Sequence, residues 1–316
     1  MVSLNQSALD VIGPVLANPG LYGVHVEKGP KGATFLDFGI DAPGGYPAAI
    51  IFSRACLAGM GDVTITSVDY GAIALPTVNV SVALPTLSCM ASQYAGWAIS
   101  QDTYFAMGSG PARALKADEK IFEEIDHKET GKIAVLCMET NKKPPEEVVN
   151  YILKKTGAPP EELYLLMAPT SSITGSVQVS ARVVETAVHK MHEIGFKLGQ
   201  ITAGSGAAPI APIHPDGLEA IGRTNDCVLY GSTAHMTVDC DDAFIVEKIG
   251  EIPSSSSKDY GRTFKELFAE YGDFYNIDPL LFSPARITVA NARTGSFFSA
   301  GSINPTMLAK SFGYKI

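Results

Sequence analysis

Charge is scarce in this sequence. Asp, Glu, Lys and Arg make up only 18% of its 316 residues, which argues against a chain held open by self-repulsion. Basic character is weaker still: 24 Lys and Arg stand against 33 Asp and Glu, a formal net charge of −9, so nonspecific adhesion to nucleic acid or an anionic membrane meets repulsion. No run approaches the ~18 continuous apolar residues of a membrane span, because Gly, Pro, Ser or a charge interrupts every candidate. The first residues lack the basic region, unbroken apolar stretch and small-residue cleavage site of a secretion signal. Cys56, Cys89, Cys137, Cys227 and Cys240 are odd in number and form no CxxC pair, which reads as reduced, buried thiols in a cytoplasmic protein. HExxH, GxxxxGK[ST] and a GxGxxG with its acidic ribose partner are all absent, so the zinc protease, P-loop nucleotide and dinucleotide readings have no motif behind them.

What is present is length and apolar content. Hydrophobic residues reach 46%, enough for one large domain or two modest ones. The segment 5–17 has helical spacing through Ala8, Val11, Ile12 and Val15, with Pro14 shortening or kinking it. Segments 22–27 and 33–38 predict a hairpin, 48–57 a helix, 63–68 and 78–82 strands. Each Leu-Pro-Thr, at 75–77 and 84–86, is expected where the chain enters or leaves a sheet, since proline donates no backbone hydrogen. The small-residue stretch 88–105 predicts a closely packed helix with a strand at 104–107. Further on, 112–125, 145–155, 264–271 and 305–312 read as helices, and 132–139, 163–167 and 286–289 as strands. Segments 227–230 and 233–238 read as paired strands joined by Gly231-Ser232. The alternation is α/β.

The longest expected helix runs from Val177 to Phe196, with Val177, Ala181, Val184, Val188 and Met191 as its core stripe. Arg182, Glu185, His189 and His192 follow one another along a neighbouring flank. Two readings of this flank stay open. It is a solvated or ion-paired face, or it is a site where Glu185 takes a proton from water while Arg182 fixes the carboxylate, the water or a developing negative charge. His189 and His192 with Glu185 or Glu193 make a weak metal pattern lacking a defined third ligand, and His235 with Asp239, Cys240, Asp241 and Asp242 reads as an acidic strand-end turn before a cation site. No metal is called for. Two glycine-rich segments, Gly108-Ser109-Gly110-Pro111-Ala112-Arg113 and Gly204-Ser205-Gly206-Ala207-Ala208-Pro209, are each either tight turns or anion-binding loops.

Taken together, Asp41-Ala42-Pro43-Gly44-Gly45-Tyr46, Gly108 to Ala114, the long phrase from Ala168 to Ala187 and Asn225-Asp226-Cys227-Val228-Leu229-Tyr230-Gly231 resemble methenyltetrahydromethanopterin cyclohydrolases over nearly the whole chain. The resemblance implies an α/β (α+β layered) fold of two related lobes with a substrate cleft between them. The lobes are placed at 1–115 with 285–316, and at 116–284. It implies reversible hydrolysis of 5,10-methenyltetrahydromethanopterin to the N5-formyl compound, a step of one-carbon metabolism, without settling whether the host pathway is methanogenesis. Glu185 and Arg182 would be the catalytic pair. Gly108, Ser109, Gly110 and Arg113 would contact a phosphate or carboxylate of the carrier. Tetrahydromethanopterin is then substrate carrier and not a retained cofactor. The expected partners are this pterin-linked small molecule and two further copies of the chain in a homotrimer, with no nucleic acid and no membrane. The alternative is a noncatalytic binding protein for a phosphorylated pterin or another anionic metabolite.

Overall fold

A computed structural model describes residues 3–71, 73–272 and 276–314. In chain order the strands are β1 (His25–Lys28), β2 (Thr34–Asp37), β3 (Gly61–Asp69), β4 (Ala74–Val82), β5 (Trp97–Gln101), β6 (Tyr104–Ser109), β7 (Ala134–Glu139), β8 (Leu163–Ala168), β9 (Ile201–Pro209), β10 (Thr233–Val238), β11 (Arg286–Asn291) and β12 (Phe297–Gly301). The α-helices are α1 (Leu4–Ala17), α2 (Tyr46–Cys56), α3 (Ala112–Lys116), α4 (Glu146–Thr156), α5 (Ile173–Ser180), α6 (Val183–Glu193), α7 (Gly217–Gly231), α8 (Asp242–Lys248), α9 (Phe264–Tyr271) and α10 (Pro305–Ser311). The architecture is mixed α/β, built on two six-stranded sheets.

The chain divides into two compact units, Met1–Asp62 with Leu87–Gln178 and Val63–Thr86 with Val179–Ile316. The first carries the sheet β1-β2-β8-β7-β6-β5. Its inner strands β2, β8 and β7 are parallel, and such strands are covered on both faces. Leu136, Met138, Leu165 and Met167 pack with Val148, Val149 and Ile152 of α4, while Val135, Cys137, Leu166 and Ala168 pack with Ala8, Ile12, Ala48 and Phe52 of α1 and α2. Alternate residues thus feed two layers, which is why the β7 and β8 sequences read as nearly unbroken apolar runs. Pro14 is accommodated inside α1. Asn5 is fully buried and ties that helix down, donating to Pro111 O at 3.1 Å and accepting from Val135 N at 2.9 Å.

The second unit carries the sheet β12-β11-β10-β9-β4-β3. Here β9 pairs antiparallel with both β4 and β10, and β10 pairs with β11 in parallel. Antiparallel strands tolerate one wet face, and Thr64, Thr66, Ser81, His235 and Ser299 are exposed while Val63, Val80, Val82, Met236 and Val289 are buried. Beyond this sheet, Cys227, Leu229 and Tyr230 of α7 join Phe264, Leu267, Leu281 and Leu308 in a separate core.

The strand, hairpin and helix expectations for the first unit largely match, including the antiparallel β1–β2 pair. Because β4 pairs with β9, residues 63–86 belong with the second sheet. Three expectations differ. Residues 227–230 are the last turn of α7, a helix capped by Asp216 accepting from Glu219 N at 2.9 Å; a four-residue apolar run does not distinguish helix from strand. The stretch from Thr86 to Gln93 is π-helical and 97–101 is an additional strand. Finally, the long helix from 177 is two helices, α5 and α6, with the break at Ala181-Arg182. Among the described residues no helix is long and apolar enough to cross a membrane.

Candidate functional site

The break between α5 and α6 positions both residues of the expected catalytic pair. α5 begins where the Ser172 hydroxyl accepts from Gly175 N at 3.0 Å and donates to Pro169 O at 2.8 Å. A Cβ on Gly175 would lie 2.0 Å from Pro169 O, so only glycine fits this turn. At the other end the Ser180 hydroxyl donates to Pro209 O of β9 at 2.8 Å. Arg182 then leaves helical geometry at φ −81 and ψ 4 and becomes the N-cap of α6, its carbonyl accepting from Thr186 N at 2.8 Å. Glu185 is the third residue of α6, inside its first turn.

That position has electrostatic consequences. Glu185 is 4% exposed, and Val183, Val184, Ala187, Val188 and Met191 of the same helix are fully buried. Burial penalises a carboxylate charge, whereas the unpaired N–H groups of a helix start favour it by ~0.3–2 kcal/mol. Arg182, half-buried and three residues earlier, adds a permanent cation to the same turn. Glu185 is thus a carboxylate screened from bulk water at the start of a helix. Glu185 is therefore not on a solvated face, whereas His189 and His192 of the same flank are half-buried beside Glu193.

The flank's later members are structural neighbours. His189 Nε2 and His192 Nδ1 lie 3.9 and 3.7 Å from Glu193 Oε1. Burial pushes the His189 pKa below its ordinary value, with Glu193 opposing. Among the described residues no three His, Cys, Asp or Glu side chains gather as a metal set. The acidic turn after β10 is occupied by its own protein: Asp239 and Asp241 pair with Arg293 at 2.7 and 3.0 Å, and Asp242 accepts from Asn291, Thr294 and Ser296.

Both glycine-rich segments contribute to sheets. Gly108 and Ser109 sit in β6, paired with β7 and, through Gly108, with Trp97 of β5. Gly110 has φ 93 and donates to Ser92 O at 2.8 Å. Arg113 is 0% exposed. Its guanidinium donates to both Glu119 oxygens, at 3.1 and 2.5 Å, and to the carbonyls of Met90 and Ser92 at 3.0 and 3.2 Å, with the rings of Tyr94 and Phe122 against it. The Arg113 donors are thus engaged inside the first unit, by Glu119 and the carbonyls of Met90 and Ser92. These four residues lie in that unit, whereas Arg182 and Glu185 lie in the second. Gly204 to Pro209 is neither turn nor anion loop but the strand β9, paired on both sides.

Two polar constellations escaped the sequence reading. Asp37, at the end of β2, accepts four backbone N–H bonds, from Gly39 and Ile40 at 2.9 and 2.6 Å and from Asp41 and Ala42 at 2.8 and 3.1 Å. It shapes the loop leading to Gly44 and Gly45, and the only hint was its place before a glycine-rich turn. At the end of β7, Glu139 accepts from Thr170 Oγ1 and, at 3.3 Å, from Gln178 Nε2. The carboxyl ends of parallel strands are where open α/β sheets place ligands, but the three residues come together only through folding.

Comparison with known proteins covers the whole chain. The family model described as Cyclohydrolase (MCH) matches residues 3–312. A methenyltetrahydromethanopterin cyclohydrolase of Methanococcoides burtonii is 42% identical, covering 100% of this chain and 99% of that protein. Proteins of the same name from Methylobacillus flagellatus and Methanocaldococcus jannaschii are 41% and 40% identical, each covering 99% of this chain and 96% and 99% of their own lengths.

Proposed function

Since the chain belongs to the Cyclohydrolase (MCH) family, we propose that it hydrolyses 5,10-methenyltetrahydromethanopterin reversibly to N5-formyltetrahydromethanopterin, with Glu185 as proton acceptor and Arg182 as its electrostatic partner. The observation that carries the residue roles is the burial of Glu185 in the first turn of α6, three residues after a guanidinium at the helix cap.

The methenyl carbon bridges N5 and N10 and already carries positive charge, so it is an electrophile without further activation. Water adds its oxygen to that carbon as Glu185 takes one of its protons, giving a neutral tetrahedral carbinolamine. The hydroxyl then loses its proton, N10 gains one, and the carbon–N10 bond breaks to leave a formyl group on N5. One proton is released overall. Arg182 holds the carboxylate and offsets negative charge at the attacking oxygen, a task for which a guanidinium that stays ionised is suited. The carrier arrives and leaves with each turnover, and the chemistry asks for no retained cofactor.

We further infer that the enzyme works in the cytoplasm, supported by five buried free cysteines, and as a homotrimer, supported by the family resemblance and checked by light scattering on the purified protein.

The decisive assay follows loss of the methenyl chromophore in the near ultraviolet and identifies the N5-formyl product. E185Q removes the base and keeps the shape. Its expected kcat is ~10²–10⁴-fold lower, and R182A is expected to lose ~10²-fold or more. Tight substrate binding with no catalysed turnover by the wild-type chain would instead favour a binding protein.

A further inference from the structure

Two glycines of β9 lie against the residues that precede Glu185 in α6. Gly204 lies in the second sheet between Val82 of β4 and Met236 of β10. A Cβ on it would stand 2.7 Å from Val184 Cγ1, and 2.9 and 3.1 Å from Cε and Sδ of Met236. A Cβ on Gly206 would stand 3.0 Å from both γ-carbons of Val183 and from Thr233 O. Val183 and Val184 are the first two residues of α6, and Glu185 is the next. The first turn of this helix therefore rests on bare strand backbone.

We propose that Gly204 is a positioning residue for the cyclohydrolase reaction, setting the height of the first turn of α6 over β9 and with it the place of the Glu185 carboxylate. The inference rests on the reading of Glu185 as proton acceptor.

The two contacts would respond differently to an added methyl. Met236 is unbranched and its thioether swings aside at little cost. Val184 is β-branched and stiff at χ1, so relief there comes from moving the helix backbone. Apolar carbons rest ~3.5–4.0 Å apart, which makes the required displacement about 1 Å. A misplacement of that size costs on the order of 10²-fold when it falls on a reacting group.

The test is steady-state kinetics on the full chain, comparing G204A, the double variant G204A/V184A, and L267A, which opens a hole in the separate core around α9. The expected result for G204A is a kcat at least ~10-fold lower with KM within about threefold, and recovery of most of that loss once V184A restores the space. L267A is expected to lower Tm at unchanged kcat. The proposal is overturned if G204A keeps wild-type kcat, if V184A fails to restore it, or if L267A loses as much kcat for the same fall in Tm. Should G204A not fold, V184I adds bulk from the helix side and carries the same expectation, with wild-type kcat again overturning it. Wild-type kcat in E185Q would sink the reading of Glu185 itself, whereas an inactive E185Q beside a fully active G204A would sink only the positioning role.

Discussion

Replacing Arg113 by methionine removes a guanidinium enclosed on every side while keeping much of the side-chain volume. Four hydrogen bonds go at once, two to Glu119 and one each to the carbonyls of Met90 and Ser92. Lys116 Nζ, 3.5 Å from Glu119 Oε1, replaces little of this. What remains is a carboxylate whose side chain is only 15% exposed, and breaking a buried pair from one side typically costs ~3–5 kcal/mol. At ~2–4 °C per kcal/mol for a unit of this size, Tm should fall by about 10 °C. The local geometry allows no easy repair, because a Cβ on Gly96 would already stand 2.0 Å from Glu119 Oε2. Scanning calorimetry at neutral pH measures the loss. Kinetics well below the new Tm then separate structure from recognition, since an interior Arg113 leaves KM for the methenyl substrate within about twofold. A Tm shift below ~2 °C together with a tenfold rise in KM would refute the reasoning and return Arg113 to the substrate.

Two further outcomes follow from buried carboxylates. Asp226 accepts from Phe264 N at 2.9 Å and Ser311 Oγ at 2.6 Å, and desolvation raises its pKa from 3.8 to about 7; the fold thus favours the protonated form, and this contribution is full below pH ~4 and lost as pH climbs through ~7. D226N, which resembles the protonated acid, should match wild-type stability near pH 4–5 and exceed it above pH 7, and a Tm difference that does not change with pH would contradict this. For Asp37, D37N turns one acceptor into a donor facing two backbone N–H groups, an expected loss of ~2–3 kcal/mol visible as a lower urea midpoint; an unchanged midpoint would show that the loop does not depend on the carboxylate.

Much of the fold was readable because local signals agreed with tertiary ones. Buried strands such as Ala134–Glu139 and Leu163–Ala168 announce themselves by apolar runs between turns, and α4 by two acids in its first turn, two lysines in its last and Gly157 beyond. The readings failed where the local pattern was degenerate. Cys227 to Tyr230 suits a strand or the end of a helix, and only packing against Phe264, Leu267 and Leu308 decides. Gly204 to Pro209 has the composition of a loop, yet its small residues make room for Val183 and Val184 above the strand. The place of residues 63–86 in the second sheet depends on β4 pairing with a strand over a hundred residues later, which nothing local encodes.

The site divides along the same line. Spacing alone put Arg182 and Glu185 on one flank, but that spacing is identical for a wet face and a buried one, and no glycine or proline marks the break that makes Arg182 a cap. Burial is what distinguishes them. A Glu among Val183, Val184 and Ala187 opposes hydrophobic packing, and an apolar residue of similar size there is expected to be as stable or more so, as for buried ionic groups generally. The helix end lessens the cost of the charge without turning it into a gain. Packing therefore does not account for the residue type at 185, whereas it accounts fully for the valines on either side of the turn. A carboxylate at that point is what the proposed proton transfer asks for, and local conflicts of this kind are expected where a fold gives up stability for chemistry.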